Sequence, residues 1–436
     1  MSISSALSAG VSGLSANAAR LAGISDNIAN SSTYGYRRVS TEFESVVIGG
    51  SGGGQYAAGG VLSQTLRDVE KSGSLVGTSN ALDIAISGRG MLPVMNASEI
   101  ASLQGGSPSL SLTRTGAFRL DESGILQTSS GLVLLGWPAN RDGTIPSMPR
   151  DTTTGLQPIK ISTNDVYAEP TTAVSLGFNL PADATAATTA TPYSTSVEYY
   201  DNLGASQTLT ITFTPVVDPV GTGRTNHWTM EIVDSSKPGG SEVVGMYDLQ
   251  FSDVPGGPLQ SISALAPAGS YDPATQLLTI DAAQQIQISL GGTGGTSGMT
   301  QISSDFAPMN ITKNGTPAGV LVGLEINENG YLQGTYDNGM TRTLYQVPLV
   351  DVPNPNGLIA LDNQTFKISP NSGAFFLWEA GDGPTGSIVG YAREGSTTDV
   401  AAELTDLIQT QRAYSSNAKI IQTVDEMLQE TTNIKR

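Results

Sequence analysis

The N-terminal part of the chain carries apolar residues at the spacing of one helix face. Leucine or isoleucine recurs every seven residues from Leu7 to Ile28, and other apolar residues fall on the same side. This spacing predicts an amphipathic helix between Ser4 and Asn30. The residues of this helix that we expect to carry self-assembly are Ile3, Leu7, Val11, Leu14, Leu21, Ile24 and Ile28.

The C-terminal part has a second apolar row with helical spacing. Ser396 and Asp399 form a plausible capping pair before it, so we expect a helix to start there. Tyr414 belongs to this row and is predicted to pack in a core, with its hydroxyl at an edge. The row, to which we also assign self-assembly, is Val400, Leu404, Leu407, Gln411, Tyr414, Ala418, Ile421 and Leu428.

Between the two helices the pattern changes to the alternation of β-strands. Leu209, Ile211 and Phe213 alternate with threonines, and Trp228 begins a similar run after a turn rich in Pro and Gly. This predicts two strands of an antiparallel sheet. The expected fold is mainly β with α-helical termini. The N- and C-terminal helices should pair as a coiled coil, with two nested antiparallel β domains between them.

Segments rich in Gly, Ser, Ala or Thr indicate the domain boundaries. Residues 49–60, 181–191 and 291–298 are typical of linkers or long surface loops. The four parts that we expect are a terminal helical assembly domain (1–30 plus 396–436), an extended linker region (31–75), an inner β domain (76–150 plus 299–395) and an inserted outer β domain (151–298).

Composition excludes several classes of function. Only 14% of the 436 residues are charged, and the net charge of −18 provides no basic patch for nucleic acid. The absence of cysteine excludes disulfides and thiolate metal sites. No stretch reaches the roughly 18 apolar residues of a membrane span, and the N-terminal residues lack the features of a secretory signal peptide. We expect no nucleic acid binding, no membrane insertion and export without a cleaved signal.

The N-terminal helix is unusual in its lack of charge. Arg20 and Asp26 are the only charged residues among the first 36, and a helix without a solvated face is expected to be covered on most sides. Gly10, Gly13 and Gly23 each cost roughly 1 kcal/mol relative to Ala in a helix. We therefore expect the terminal helices to pack among several copies of the chain, and to be largely disordered in the monomer.

The sequence gives little support for a catalytic or metal-binding site. His227 is the only histidine, so a Ser-His-Asp triad would depend on it alone. The loops that begin at Asp121 and Asn327 lack the full ligand series of a calcium loop, and turn chemistry explains them better. Arg37 and Arg38 are interpreted as dipole and packing partners at a helix end. We expect no catalytic, cofactor-binding or metal site, and no enzyme.

The two ends also carry motifs of a known family. Three of these motifs run from Leu82 to Gly88, from Thr113 to Phe118 and from Glu403 to Leu428. The N-terminal signature consists of Asn27, Ile28, Ala29, Asn30, Gly35, Tyr36 and Arg37. Together these motifs resemble those of the bacterial flagellar rod and hook proteins, the axial proteins of the hook-basal body. The length and the inserted middle region are most similar to those of the hook-type members.

This resemblance implies a structural subunit that polymerises with itself. The polymer would be a curved, hollow tube, lined by the terminal helices, that acts as a universal joint and transmits torque from the rod to the filament. The implied partners are further copies of the chain, the distal rod protein, the hook cap protein, the hook-filament junction protein and the flagellar type III export apparatus. The implied location is the extracellular hook of the flagellum.

Three alternatives stay open at this point. The chain could be a distal rod subunit of the basal body, but the long inserted β region argues against that. An enzyme or a carbohydrate-binding β protein would not explain the charge-poor helical ends. A membrane-active protein would need a basic face for anionic lipids, which these helices lack.

Overall fold

A computed structural model describes residues 3–46, 59–103, 108–162, 165–218, 220, 223–240, 242–266, 268–294 and 298–434. Most of the predicted loop at 49–60, and part of the one at 291–298, therefore lie outside the described residues.

Two α-helices lie at the ends of the described chain, α1 at Ile3–Ala29 and α2 at Val400–Ile434. They pack against each other, which confirms the predicted fold class. The capping role at α2 belongs to Asp399, whose carboxylate accepts the N–H groups of Ala401 at 2.9 Å and Ala402 at 3.3 Å. None of the described helices is long and apolar enough to cross a membrane.

The strands before residue 163 are β1 (Val39–Ser45), β2 (Val61–Arg67), β3 (Leu75–Gly77), β4 (Asp83–Ser87), β5 (Leu92–Asn96), β6 (Ser111–Thr113), β7 (Thr115–Leu120), β8 (Leu126–Thr128), β9 (Leu132–Pro138) and β10 (Gln157–Pro158). The middle strands are β11 (Val166–Glu169), β12 (Ala173–Pro181), β13 (Tyr193–Tyr200), β14 (Ser206–Pro215), β15 (His227–Asp234), β16 (Glu242–Phe251), β17 (Leu259–Ala264), β18 (Ser270–Asp272), β19 (Leu277–Asp281), β20 (Gln285–Ser289), β21 (Thr300–Ile302) and β22 (Ala307–Lys313). The later strands are β23 (Thr316–Ile326), β24 (Tyr331–Tyr336), β25 (Thr341–Gln346), β26 (Leu349–Asp351), β27 (Ile359–Ala360), β28 (Phe366–Lys367), β29 (Phe376–Trp378), β30 (Ser387–Gly390) and β31 (Ala392–Glu394). Short 3-10 helices lie at Ala97–Ser102, Ala182–Ala186 and Pro355–Gly357.

The chain divides into two compact units. Unit 1 consists of Met1–Thr163, Gly323–Gly334 and Thr341–Arg436, and unit 2 consists of Asn164–Val322 and Thr335–Met340. Both units are discontinuous in sequence.

The boundaries of these units differ from the predicted ones. Residues 299–322 belong to unit 2, where β22 pairs antiparallel with β12. Residues 151–162 belong to unit 1, where β10 pairs with β9. The region 31–75, expected to be an extended linker, contains the paired strands β1 and β2. Of these pairings, only that of β22 with β12 joins strands far apart in sequence, whereas β9 with β10 and β1 with β2 are consecutive strands.

Two sheets of unit 2 share one core. One sheet has the strand order β13-β14-β15-β16-β17, and the other has the order β18-β19-β20-β12-β21, with β22 also paired to β12. Strand β14 buries Leu209, Ile211 and Phe213, and Ile211 lies opposite Ile232 of β15, which confirms the predicted antiparallel pair. Both sheets contribute buried apolar side chains to the core, as in a β-sandwich.

Unit 1 has a separate β core and carries both helices. Strands β5 and β9 pair through Val94 and Leu134 and are almost wholly buried. Early and late parts of the sequence meet here, because β4 pairs with β30 and β3 pairs with β31. Strands β1 and β2 lie against α1. These pairings place the segments that follow α1 and precede α2 in the same unit.

Candidate assembly surface on the paired terminal helices

The two helices run antiparallel and approach closely where α1 has glycine. A Cβ atom on Gly10 would lie 3.2 Å from Cγ1 of Ile421, and a Cβ atom on Gly13 would lie 2.9 Å from Nδ2 of Asn417. The glycines that weaken α1 as an isolated helix therefore bring it close to α2.

A second side of α1 is covered by β1 and β2. The hydroxyl of Ser12 accepts the N–H of Val61 at 3.2 Å, and a Cβ atom on Gly23 would lie 3.5 Å from Oγ1 of Thr41. At 3.6 residues per turn, Ser12 and Gly23 lie opposite the row that contains Leu14. The two strands therefore leave the leucine row uncovered.

The predicted row of α1 is only partly covered within the subunit. Val11 is 52% exposed, whereas Ile24 is buried. The side chain of Ile3 lies outside the part of the chain that the structure describes. The half-buried members of the row are Leu7, Leu14, Leu21 and Ile28.

The predicted row of α2 is largely uncovered, and a different row is buried. Leu407 and Ile421 are half-buried. The exposed members are Val400, Leu404, Gln411, Tyr414, Ala418 and Leu428. The residues that α2 buries are Glu403, Thr410 and Val424. The expectation that Tyr414 packs in a core is therefore wrong within the subunit, because its row flanks the contact with α1.

The uncovered rows of the two helices lie on the same side of the pair. Arg20 and Asp406 form an ion pair at 3.5 Å. The Cζ atom of Arg20 also lies over the ring of Phe43, 5.9 Å from its centroid. Since Phe43 is on β1, this ion pair lies on the side of the helix pair that faces β1. A rotation of about 100° per residue places Leu21 and Leu407 on the other side of the helix contact. The two rows therefore form one apolar surface, which we call the helix-pair surface.

The start of α2 is held to the segment that follows α1. The guanidinium of Arg38 pairs with the buried carboxylate of Glu403, and a second nitrogen lies 3.4 Å from Asp406. The backbone N–H of Arg38 donates to Oγ1 of Thr397 at 2.8 Å. The interpretation of Arg38 as a dipole partner at a helix end is corrected by these contacts, since α1 ends at Ala29.

Two buried signature residues fix the turn after α1. The side-chain amide of Asn27 donates to the carbonyl of Val39 and accepts its N–H, both at 2.8 Å, so it substitutes for a strand partner at the start of β1. The hydroxyl of Tyr36 donates to the carboxylate of Asp26 at 2.9 Å. Burial and this carboxylate raise the pKa of Tyr36.

The remaining signature residues are divided between the interior and the surface. Gly35 has φ of +74°, and a Cβ atom there would lie 2.9 Å from Cγ2 of Thr115, so the position requires glycine. Arg37 is completely buried and pairs with Glu394 at 2.8 Å, which also corrects its interpretation as a helix-end residue. Sequence reasoning did not single out Glu394. The less covered members, at the end of α1 and just after it, are Ile28, Ala29 and Asn30.

The described residues offer little for other chemistry. No group of three or more His, Cys, Asp or Glu side chains among them is placed to hold a metal ion. The carboxylate of Asp121 accepts the N–H groups of Ser123 at 2.9 Å and Ile125 at 2.7 Å, so this loop is a turn closed by its own aspartate. His227 lies 3.6 Å from Asp248 on a strand of unit 2.

Comparison with family models gives three matches in sequence order. Residues 7–37 match the "Flagella basal body rod protein" model. Residues 164–316 match the "Flagellar basal body protein FlaE D2 domain" model. Residues 390–434 match the "Flagellar basal body rod FlgEFG protein C-terminal" model.

Whole-chain comparisons find relatives and a solved structure. The flagellar hook protein FlgE of Brucella suis biovar 1 is 32% identical over 438 residues, and the match covers 100% of both chains. The flagellar hook protein FlgE of Rhizobium meliloti is 31% identical over 442 residues, again covering 100% of both chains. The crystal structure of Helicobacter pylori flagellar hook protein FlgE2 aligns with a TM-score of 0.46 and 14% identity, over 74% of this chain and 99% of that one. Identities of 31–32% over the full length of this chain and of its Brucella and Rhizobium relatives show the family. The chain belongs to the bacterial flagellar hook proteins and is a structural subunit, not an enzyme.

Proposed function

We propose that the subunit polymerises through the helix-pair surface, with the predicted rows of α1 and α2 as its contact residues. The observation that supports this is the apolar row of α2, of which six of the eight members are exposed in the described subunit. An exposed apolar row of this length is typical of an interaction site.

Packing among several copies also fits the character of α1. Its side chains beside the row are small, and small residues let helix backbones approach closely, as α2 already does at Gly10 and Gly13. The paired helices are in this proposal the assembly module of the chain. The β parts of the chain would then supply further contacts between subunits.

The polymer that we propose is a curved, hollow tube that acts as a universal joint and transmits torque from rod to filament. Its neighbours would be the distal rod protein below and the hook-filament junction protein above, with growth under the hook cap protein. Export through the flagellar type III apparatus, without a cleaved signal, would deliver each subunit to the hook outside the cell. Relatives along the whole chain are hook proteins, so the alternative of a distal rod subunit is not favoured.

Electron microscopy of concentrated protein tests this proposal. The intact chain should form tubes, and the Leu14→Asp and Leu21→Asp variants should stay monomeric, because assembly would bury an unpaired carboxylate. The Ile359→Asp variant is a matched control: Ile359 is 52% exposed on β27, and this variant should still form tubes. Near-UV circular dichroism should be native in all three variants. Normal tubes from Leu14→Asp would overturn the assignment of the surface.

A further inference from the structure

A buried cluster of three charged side chains joins parts of unit 1 that are far apart in sequence. Arg37 and Glu394 are fully buried, and Arg114 is nearly so. One carboxylate oxygen of Glu394 accepts from Nη2 of Arg37 at 2.8 Å and from Nε of Arg114 at 3.2 Å. Burial lowers the pKa of Arg114, and the second guanidinium adds to this. The cluster thus holds two positive charges against one negative charge.

The same side chains also bind a fourth segment, residues 71–73. The second carboxylate oxygen of Glu394 accepts the N–H of Gly73 at 2.6 Å. Arg37 donates to the carbonyl of Lys71 at 2.6 Å, and Arg114 donates to the hydroxyl of Ser72 at 3.0 Å. Each residue of this short segment is therefore bonded to a different member of the cluster.

Backbone bonds add further connections between the two terminal segments. The N–H of Gly35 donates to the carbonyl of Glu394 at 2.7 Å, and the N–H of Thr397 donates to the carbonyl of Tyr36 at 3.1 Å. These bonds lie between α1 and α2 but involve neither helix. The helices expose much of their surface, whereas the four residues joined by these bonds are buried.

We propose that Arg37, Arg114 and Glu394 form a clamp that fixes both terminal segments to the β body of unit 1 independently of the helix pair. The clamp closes only when the segment with Glu394 is present, because without it two buried guanidinium groups have no counter-charge. The N-terminal part of a subunit is therefore held in place only after almost the whole chain is available. Fraying of the helices leaves the clamp closed. This role goes beyond self-assembly, since every contact is within one subunit.

Hydrogen exchange of the full-length monomer, followed by mass spectrometry, tests the clamp. Peptides that cover 33–38, 71–74, 112–116 and 392–397 should be protected, and those from both helices should exchange faster. The Glu394→Gln variant should lose protection in all four segments together, by about 100-fold or more, because two charges are left buried without a partner. Unit 2 should keep its protection.

The Glu403→Gln variant is the matched control. Glu403 is buried like Glu394, but among the described residues its one ion pair is with Arg38. Loss of protection should therefore be confined to the start of α2 and the residues around Arg38. If Glu394→Gln does not fold, Arg37→Lys replaces it, with a smaller loss expected in the same four segments. Loss confined to the neighbourhood of the substituted residue, or no loss, would overturn the clamp.

Discussion

Leu404 allows the helix-pair surface to be tested quantitatively. The residue is 47% exposed in the subunit, and full burial of a leucine contributes about 1.5–3 kcal/mol. Covering the exposed half by neighbouring copies should therefore contribute about 1 kcal/mol per added subunit. Since 1.4 kcal/mol corresponds to a factor of ten, the Leu404→Ala variant should polymerise with a critical concentration about fivefold higher.

The assay is sedimentation of polymer over a series of protein concentrations. Leucine and alanine have similar helix propensities, and only about half of Leu404 is covered in the subunit. The free energy of unfolding of the monomer should therefore fall by less than about 1 kcal/mol. Thr405→Ala is the matched control, because the Thr405 hydroxyl bonds back to the carbonyl of Ala401 at 3.0 Å and the residue lies outside the apolar row. Its critical concentration should stay within about twofold of the wild type.

Two results would refute this reasoning. An unchanged critical concentration for Leu404→Ala would show that neighbouring copies do not cover the row. A loss of monomer stability as large as that of Val424→Ala would show that the row belongs to the core of the subunit. Val424 is buried, and its truncation should cost about 1–2 kcal/mol in the monomer itself.

Two further predictions concern unit 2. Phe213→Ala should lower the free energy of unfolding of unit 2 by about 3–5 kcal/mol, since the buried ring packs on Phe178, with 5.4 Å between the ring centroids. Calorimetry should show the unfolding transition of unit 1 unchanged. Equal losses of stability in both units would contradict separate cores. Hydrogen bonds from Ser206, which has the larger effect, and from Lys313 lower the pKa of Glu198 to about 2. The stability that the ionised carboxylate contributes is therefore complete above about pH 4.5, and it is lost as the pH falls toward 2. In NMR titrations, Lys313→Met should raise the midpoint of Glu198 but keep it below 4.5, because the Ser206 bond at 2.6 Å remains; a wild-type midpoint near 4.5 would contradict this.

Local periodicity was sufficient for the elements that carry a regular apolar face. The seven-residue spacing of leucines predicted α1, and the alternation around Ile211 predicted β14 and its pairing with β15. It was not sufficient for the boundary between the units. Strand β22 is exposed along most of its length, so its place in unit 2 depends on pairing with β12, more than a hundred residues earlier.

Local patterns could not predict the clamp either, because its members are far apart in sequence. Arg37 follows a predicted helix closely, and that position alone suggested a dipole partner. Its carboxylate partner, Glu394, lies 357 residues later, and no spacing rule connects two charges at that distance. A weak signal was nevertheless present, because charged residues are scarce near the N-terminal helix, so the few that occur there require specific partners.

The two rows of α2 explain why its predicted and buried faces differ. The row turned inward, which includes Glu403, Thr410 and Val424, is mostly polar. It can be buried because α1 offers glycine at the contact, because Arg38 pairs with Glu403, and because the Thr410 hydroxyl bonds back to the carbonyl of Asp406 at 2.7 Å. Periodicity selects the most apolar row, and in this helix most of that row is exposed in the described subunit. In a chain that polymerises, a regular apolar row therefore indicates that a face will be covered, but not whether the same subunit or the next one covers it.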